Sequence, residues 1–92
     1  MSTPQHKPSA YHNVPTAMVF DVFAETATRL TGRYNHLSET ARTKEEQDAW
    51  WEKVISLRDA KRALPAQDRD QLIARIQEWA EELELLKSAD RD

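Results

Sequence analysis

The segment EWAEELE (residues 78–84) places four carboxylates, Glu78, Glu81, Glu82 and Glu84, within two helical turns. Paired carboxylates can serve general acid–base chemistry or hold a hard cation. At about 100° per residue, however, these four spread over the outer half of a helix instead of converging. A charge run of that kind is a solvated face. Nucleophilic catalysis needs Cys, or Ser beside a base and an orienting group. The chain has no cysteine, and its serines lie in the opening segment, at helix ends or mid-helix without a nearby histidine. Of the three histidines, His6, His12 and His36, two fall in the first 13 residues, and the Glu-x-x-His pairing of helical di-metal sites is absent. One glycine cannot build a phosphate-binding loop. No enzyme, no metal and no cofactor are expected.

Surface chemistry is therefore where function has to lie. Net charge is −3, unevenly spread: residues 29–62 hold eight basic and six acidic side chains, residues 63–92 four basic and eight acidic. Arg58, Lys61 and Arg62 form a basic group that suits either a patch or the C-terminal end of a helix dipole. A helix-turn-helix reading of the last two helices would make the final helix the recognition element, and its exposed face is acidic. That face repels phosphate, so nucleic-acid binding is not expected. The longest apolar run, Ala17 to Phe20, is far short of the ~20 residues a membrane span requires. The opening MSTPQHKPSAYHN has no basic start followed by a hydrophobic stretch, so a signal peptide is not expected. Without cysteines, a cytoplasmic location is the expectation.

A chain of 92 residues with 39% apolar and 32% charged residues makes one small folded domain. With one glycine and four prolines it lacks the turns a β fold of this size needs. The expected fold is all-α: a small antiparallel three-helix bundle over residues 14–88, with a disordered tail at 1–13 and a frayed end at 89–92. Pro15 suits the first helical turn, with Asn13 before it as cap. Val19, Phe23, Thr26, Leu30, Tyr34, Leu37 and Ala41 then recur at helical spacing, which favours one long helix across Gly32 over a break at Asn35 to Ser38. Thr43-Lys44-Glu45-Glu46 matches a capping box ahead of a stripe of Trp50, Val54, Leu57, Lys61 and Leu64. Leu64-Pro65-Ala66-Gln67 interrupts it, and Asp68 with Gln71 restarts a helix carrying Leu72, Ile76, Trp79, Leu83 and Leu86, flanked by Ile73 and Ala80. So short a joint implies that the second and third helices lie adjacent.

Adjacent Trp50 and Trp51 cannot share one packing line. Trp50 lies on the stripe; Trp51, Ile55 and Arg58 fall on its flank. In a bundle each helix meets two neighbours, so Trp51 and Ile55 either pack on the first helix while Trp50 packs on the third, or belong to a surface that meets another protein. Trp and Arg are enriched at such surfaces. The first helix has a similar surplus, with Met18, Phe20 and Val22 outside its main stripe. Phe20→Asp is accordingly expected to spare the fold and abolish partner binding.

LRDAKRALPAQDRDQLIARIQEWAEEL, Leu57 to Leu83, resembles the epsilon antitoxins of bacterial epsilon/zeta toxin–antitoxin modules. The likeness lies in a helix closing on Ala60-Lys61-Arg62, a short polar joint, and a helix with Leu72 and an aromatic at Trp79, about a third of the chain. The resemblance implies a non-catalytic helical bundle that binds a zeta toxin, a P-loop kinase acting on a UDP-sugar peptidoglycan precursor. It further implies that the first helix obstructs the toxin's ATP site, with Met18, Phe20, Asp21 and Glu25 outward. A carboxylate there suits a cationic phosphate pocket. Partner-binding residues are thus expected among Met18, Phe20, Asp21, Glu25, Trp51, Ile55 and Arg58, in a homodimer or a heterotetramer with toxin. The rival expectation is a self-associating structural or adaptor module, followed by a DNA-binding regulator.

Overall fold

The chain enters its first helix, α1 (Thr16–Glu39), through Pro15, whose φ of −58° and ψ of 148° keep the backbone extended. The Pro15 carbonyl accepts from the amides of Met18 and Val19, 3.0 Å each, so the boundary residue is Pro15 and not Asn13. Two further helices follow, α2 (Lys44–Ala63) and α3 (Arg69–Arg91), in a computed structural model that describes Tyr11 and residues 13–91, with side chains to residue 88. Apart from Tyr11 and Asn13, the expected tail lies outside the described residues. α3 stays helical to Arg91, beyond the end expected at Ser88.

Local chemistry sets these boundaries. The Thr43 hydroxyl accepts from the Glu46 amide at 3.0 Å and so caps α2. Asp68 accepts from the Gln71 amide at 3.3 Å at the start of α3. Acidic Glu45 and Glu46 at the start of α2 and basic Lys61 and Arg62 at its end complement the helix dipole.

The three helices form an up-down-up bundle with α1 at its centre. Along α1 and α2, Ser38 meets Gln47 and Tyr34 meets Trp50, which is an antiparallel order. Along α1 and α3, Thr16 meets Arg69, Phe23 meets Trp79 and Tyr34 meets Glu82, a parallel order. α2 and α3 each pack on α1, but no Cα of α2 comes within 8 Å of one of α3. The adjacency expected from their short joint is therefore not realised. The Leu64–Asp68 connection leaves them splayed, with Leu57, Ala60, Arg75 and Trp79 lining the gap between.

The core consists of Val19, Phe23, Ala27, Leu30, Tyr34, Val54, Leu57, Leu72, Ile76 and Trp79. On α1 the buried line thus passes through Ala27 and Ser38, while Thr26 and Leu37 are only half-buried, and the helix ends at Glu39, short of the expected stripe residue Ala41. A helix between two neighbours buries the line midway between them. Small Ala27 and Ser38 let α2 approach, and the Ser38 hydroxyl donates to the Gln47 carbonyl at 3.1 Å. The Thr26 hydroxyl instead donates back to the Val22 carbonyl, 2.7 Å away on its own helix.

α1 is continuous across Gly32, and a Cβ there would meet nothing within 4 Å. An exposed interior glycine costs a helix about 1 kcal/mol relative to alanine. Gly32→Ala is expected to raise the midpoint of thermal unfolding by ~4–8 °C for a domain of this size. A calorimetric scan of the variant checks this; no rise would mean that α1 is interrupted at that point.

Candidate functional site

No helix among the described residues is long and apolar enough to cross a membrane, and no three His, Cys, Asp or Glu side chains among them are grouped to hold a metal ion. What the bundle presents instead is a set of uncovered helix faces and shallow depressions.

The first surface is the outer side of the beginning of α1. Val19 and Phe23 turn into the core, so by helical rotation Met18, Asp21 and Glu25 turn away from it. Met18 is 55% exposed, and Asp21 and Glu25 are both exposed. Glu25 accepts from Arg29 one turn on, at 3.0 Å, but both side chains are largely in water, where such a pair contributes little and exchanges readily.

Phe20 does not belong with them. It is half-buried, packs against the core and lies 5.9 Å from the Phe23 ring. Phe20 and Asp21, with Thr16, Ala17, Ala66 and Gln67, line a depression of about 420 Å³ where α1 meets the α2–α3 connection. The expectation that Phe20→Asp would spare the fold is therefore corrected. Charge there would be driven against Phe23, so the variant cannot separate binding from folding.

The second surface is the flank of α2. Trp51 is 50% exposed, Arg58 is exposed and Ile55 half-buried. Trp50 is half-buried and stacks on Tyr34 of α1 at 6.0 Å between ring centroids. Trp50 thus stacks on the first helix, which the packing alternative assigns to Trp51, and half of Trp51 remains in water. Seven residues separate Trp51 from Arg58, two helical turns on one side of α2. Arg58 and Lys61 edge a depression of about 250 Å³ floored by Ala27, Thr28, Thr31 and Val54. The structure therefore divides the expected partner-binding residues, with Met18, Asp21 and Glu25 on one face and Trp51, Ile55 and Arg58 on another.

A third exposed apolar residue escaped the sequence. Leu85 is 64% exposed, next to Leu83 and Leu86, which pack against the core. The signal was the one that marked Trp51: adjacent apolar residues on a helix cannot all face inward. Ala80, expected to widen the packing flank, is exposed as well.

Between α2 and α3 the Tyr34 hydroxyl donates to a Glu82 carboxylate oxygen at 2.9 Å. Burial first, then that hydrogen bond, then the charges of Glu82 and Glu78 push the Tyr34 phenol well above its ordinary range. Lys53 stands 5.7 Å from the Tyr34 ring centroid, and Arg75 5.9 Å from that of Trp79. Both aromatic faces already carry a cation of the same chain, which makes this gap a structural seam.

The raised phenol has a consequence for alkaline stability. An unfolded tyrosine loses its proton near pH ~10. Above that the folded state binds more protons than the unfolded one, so stability falls as pH rises; below it the contribution is complete. Tyr34→Phe is expected to cost ~1 kcal/mol at pH 7 through the lost hydrogen bond, and the deficit is expected to shrink above pH ~10. Urea titrations of both proteins at pH 7 and pH 11 measure it; a constant deficit would remove Tyr34 from the alkaline response.

Comparison of the chain with protein-family models, with characterised proteins and with solved structures finds no match.

Proposed function

We propose that this protein is a non-catalytic inhibitor that acts through the uncovered face of α1. In this reading it lays Met18, Asp21 and Glu25 on a larger partner. The partner implied by the resemblance of Leu57–Leu83 to epsilon antitoxins is a zeta-type P-loop kinase, whose ATP site α1 would occlude. The observation that carries the reading is the placement of a 55%-exposed Met18 beside two exposed carboxylates while α2 and α3 occupy the opposite side of the same helix. An apolar anchor ringed by acids fits a pocket that is greasy at its base and cationic at its rim, as a nucleotide-phosphate site is.

Such inhibitors are encoded beside their targets, so the adjacent reading frame should specify a larger protein with a Gly-x-x-x-x-Gly-Lys-Ser/Thr loop. Expressed alone, that protein should arrest growth. Expressed with this chain, it should be recovered as a complex from growing cells. Equal killing with and without this chain would end the proposal.

A further inference from the structure

The depression on the outer side of the α1–α2 junction has an apolar floor and two cations at its edge. Buried Ala27, Val54 and Leu57 floor its space of about 250 Å³, and Thr28 and Thr31 form the α1 wall. The Thr28 hydroxyl donates to the Ala24 carbonyl at 3.0 Å, so the polar end of that side chain is satisfied within α1. Exposed Arg58 and half-buried Lys61 stand on the α2 edge.

Among the described residues nothing answers these two charges. A helix brings together side chains three and four residues apart. Around Arg58 and Lys61 those positions hold Val54, Ile55, Leu57, Arg62, Leu64 and Pro65 besides each other, and none is acidic. Across the depression α1 offers alanine and threonine, and Glu25, the acid nearest Thr28 in sequence, meets Arg29. Neither Arg58 nor Lys61 is in an ion pair among the described residues. The dipole of α2 accounts for Lys61 and Arg62 in its last turn. Arg58 lies a turn earlier, and like charges so close on one helix repel.

We propose that this depression binds a free medium-chain carboxylic acid. Its carboxylate sits between Arg58 and Lys61, and its chain lies over Ala27, Val54 and Leu57. Small-ligand sites combine mostly apolar walls with a few charged groups that fix orientation. An anion set between two unpaired cations relieves their repulsion and accepts charge-assisted hydrogen bonds from both. Volume selects the tail. At ~30 Å³ per group, the share of a water-sized unit in a liquid, about eight methylenes fill the depression. A whole helix, roughly 10–12 Å across, cannot enter a space of that volume.

Calorimetric titration of the full chain with straight-chain acids from hexanoate to dodecanoate, each below its micelle concentration, tests the proposal. Decanoate should saturate one site below about 1 mM. Affinity should rise about 2–4-fold per added methylene up to about ten carbons, then level off once the floor is covered. Decanol should bind at least about fivefold more weakly than decanoate, because it cannot pair with the cations. That preference should vanish in an Arg58→Gln/Lys61→Gln double variant, whose helices circular dichroism checks. Amide resonances of Thr28, Thr31, Val54 and Arg58 should move on binding. Thr28→Phe, made at an exposed position, should fill the depression and abolish binding.

No saturation at about 1 mM, an undiminished acid preference in the double variant, or resonance shifts confined to the Met18 face would each overturn the proposal. So would retention of the chain on vesicles of anionic phospholipid without binding of free decanoate, which would make this edge a membrane surface. None of these substitutions touches Met18, Asp21 or Glu25, so failure here leaves the inhibitor reading standing.

Discussion

Trp79→Ala is expected to remove about 3–5 kcal/mol of folding stability. Trp79 is 6% exposed, and its ring stacks on Phe23 at 5.3 Å between centroids, with an interplanar angle of 27°. Phe23 is fully buried, so truncation leaves a void that α1 and α3 cannot both close. Because α2 makes no close backbone approach to α3, no third helix stands ready to fill it. Small domains have ~5–15 kcal/mol in total, which puts this variant near the edge of folding. Trp50→Ala offers the contrast. It loses a half-buried ring on Tyr34, so its cost should be less than half that of Trp79→Ala, not equal to it as the helical stripe alone implies. Equilibrium urea unfolding of both variants decides the matter. Equal costs would mean that α2 is as integral to the core as α3.

Met18→Asp is expected to weaken partner binding about 100-fold or more, the size of a hot-spot loss, while leaving folding stability within ~0.5 kcal/mol. Two physical facts separate these effects. The Met18 side chain is mostly in water in the free protein, so a carboxylate there meets no desolvation on folding. In a complex the same carboxylate would be buried among apolar groups and beside Asp21 and Glu25, where like charge adds to its desolvation cost. Binding of a purified kinase partner to both proteins, with a thermal melt of each, measures the two quantities. A Met18→Asp chain that binds normally would place the contact elsewhere, and one that unfolds would make Met18 part of the core.

How far the sequence disclosed this depends on how local each feature is. Thr43 and Asp68 cap helices through groups three residues away, and the i, i+3, i+4 recurrence of apolar residues needs no tertiary knowledge, so the three helices and most of the core were legible. The core line of α1 was not. Thr26 or Ala27, and Leu37 or Ser38, are decided by where two neighbours sit, and small residues won because they allow close approach. The splay of α2 from α3 was hidden for a similar reason: linker length limits separation at one end only. Adjacent apolar residues marked Trp51 as off the packing line but not whether a neighbouring helix covered it, and the same rule applied to Leu85 marks that residue too. Phe20 shows its limit, since position on a helical wheel cannot reveal that the α2–α3 connection passes alongside and leaves the ring half-covered.

The most direct measurement is a paired capture from the native host, with the wild-type chain on one support and the Met18→Asp chain on another, compared by quantitative mass spectrometry. An inhibitor working through α1 returns a P-loop protein on the first support and loses it on the second. Identical captures on both, or none containing a P-loop, would contradict that function.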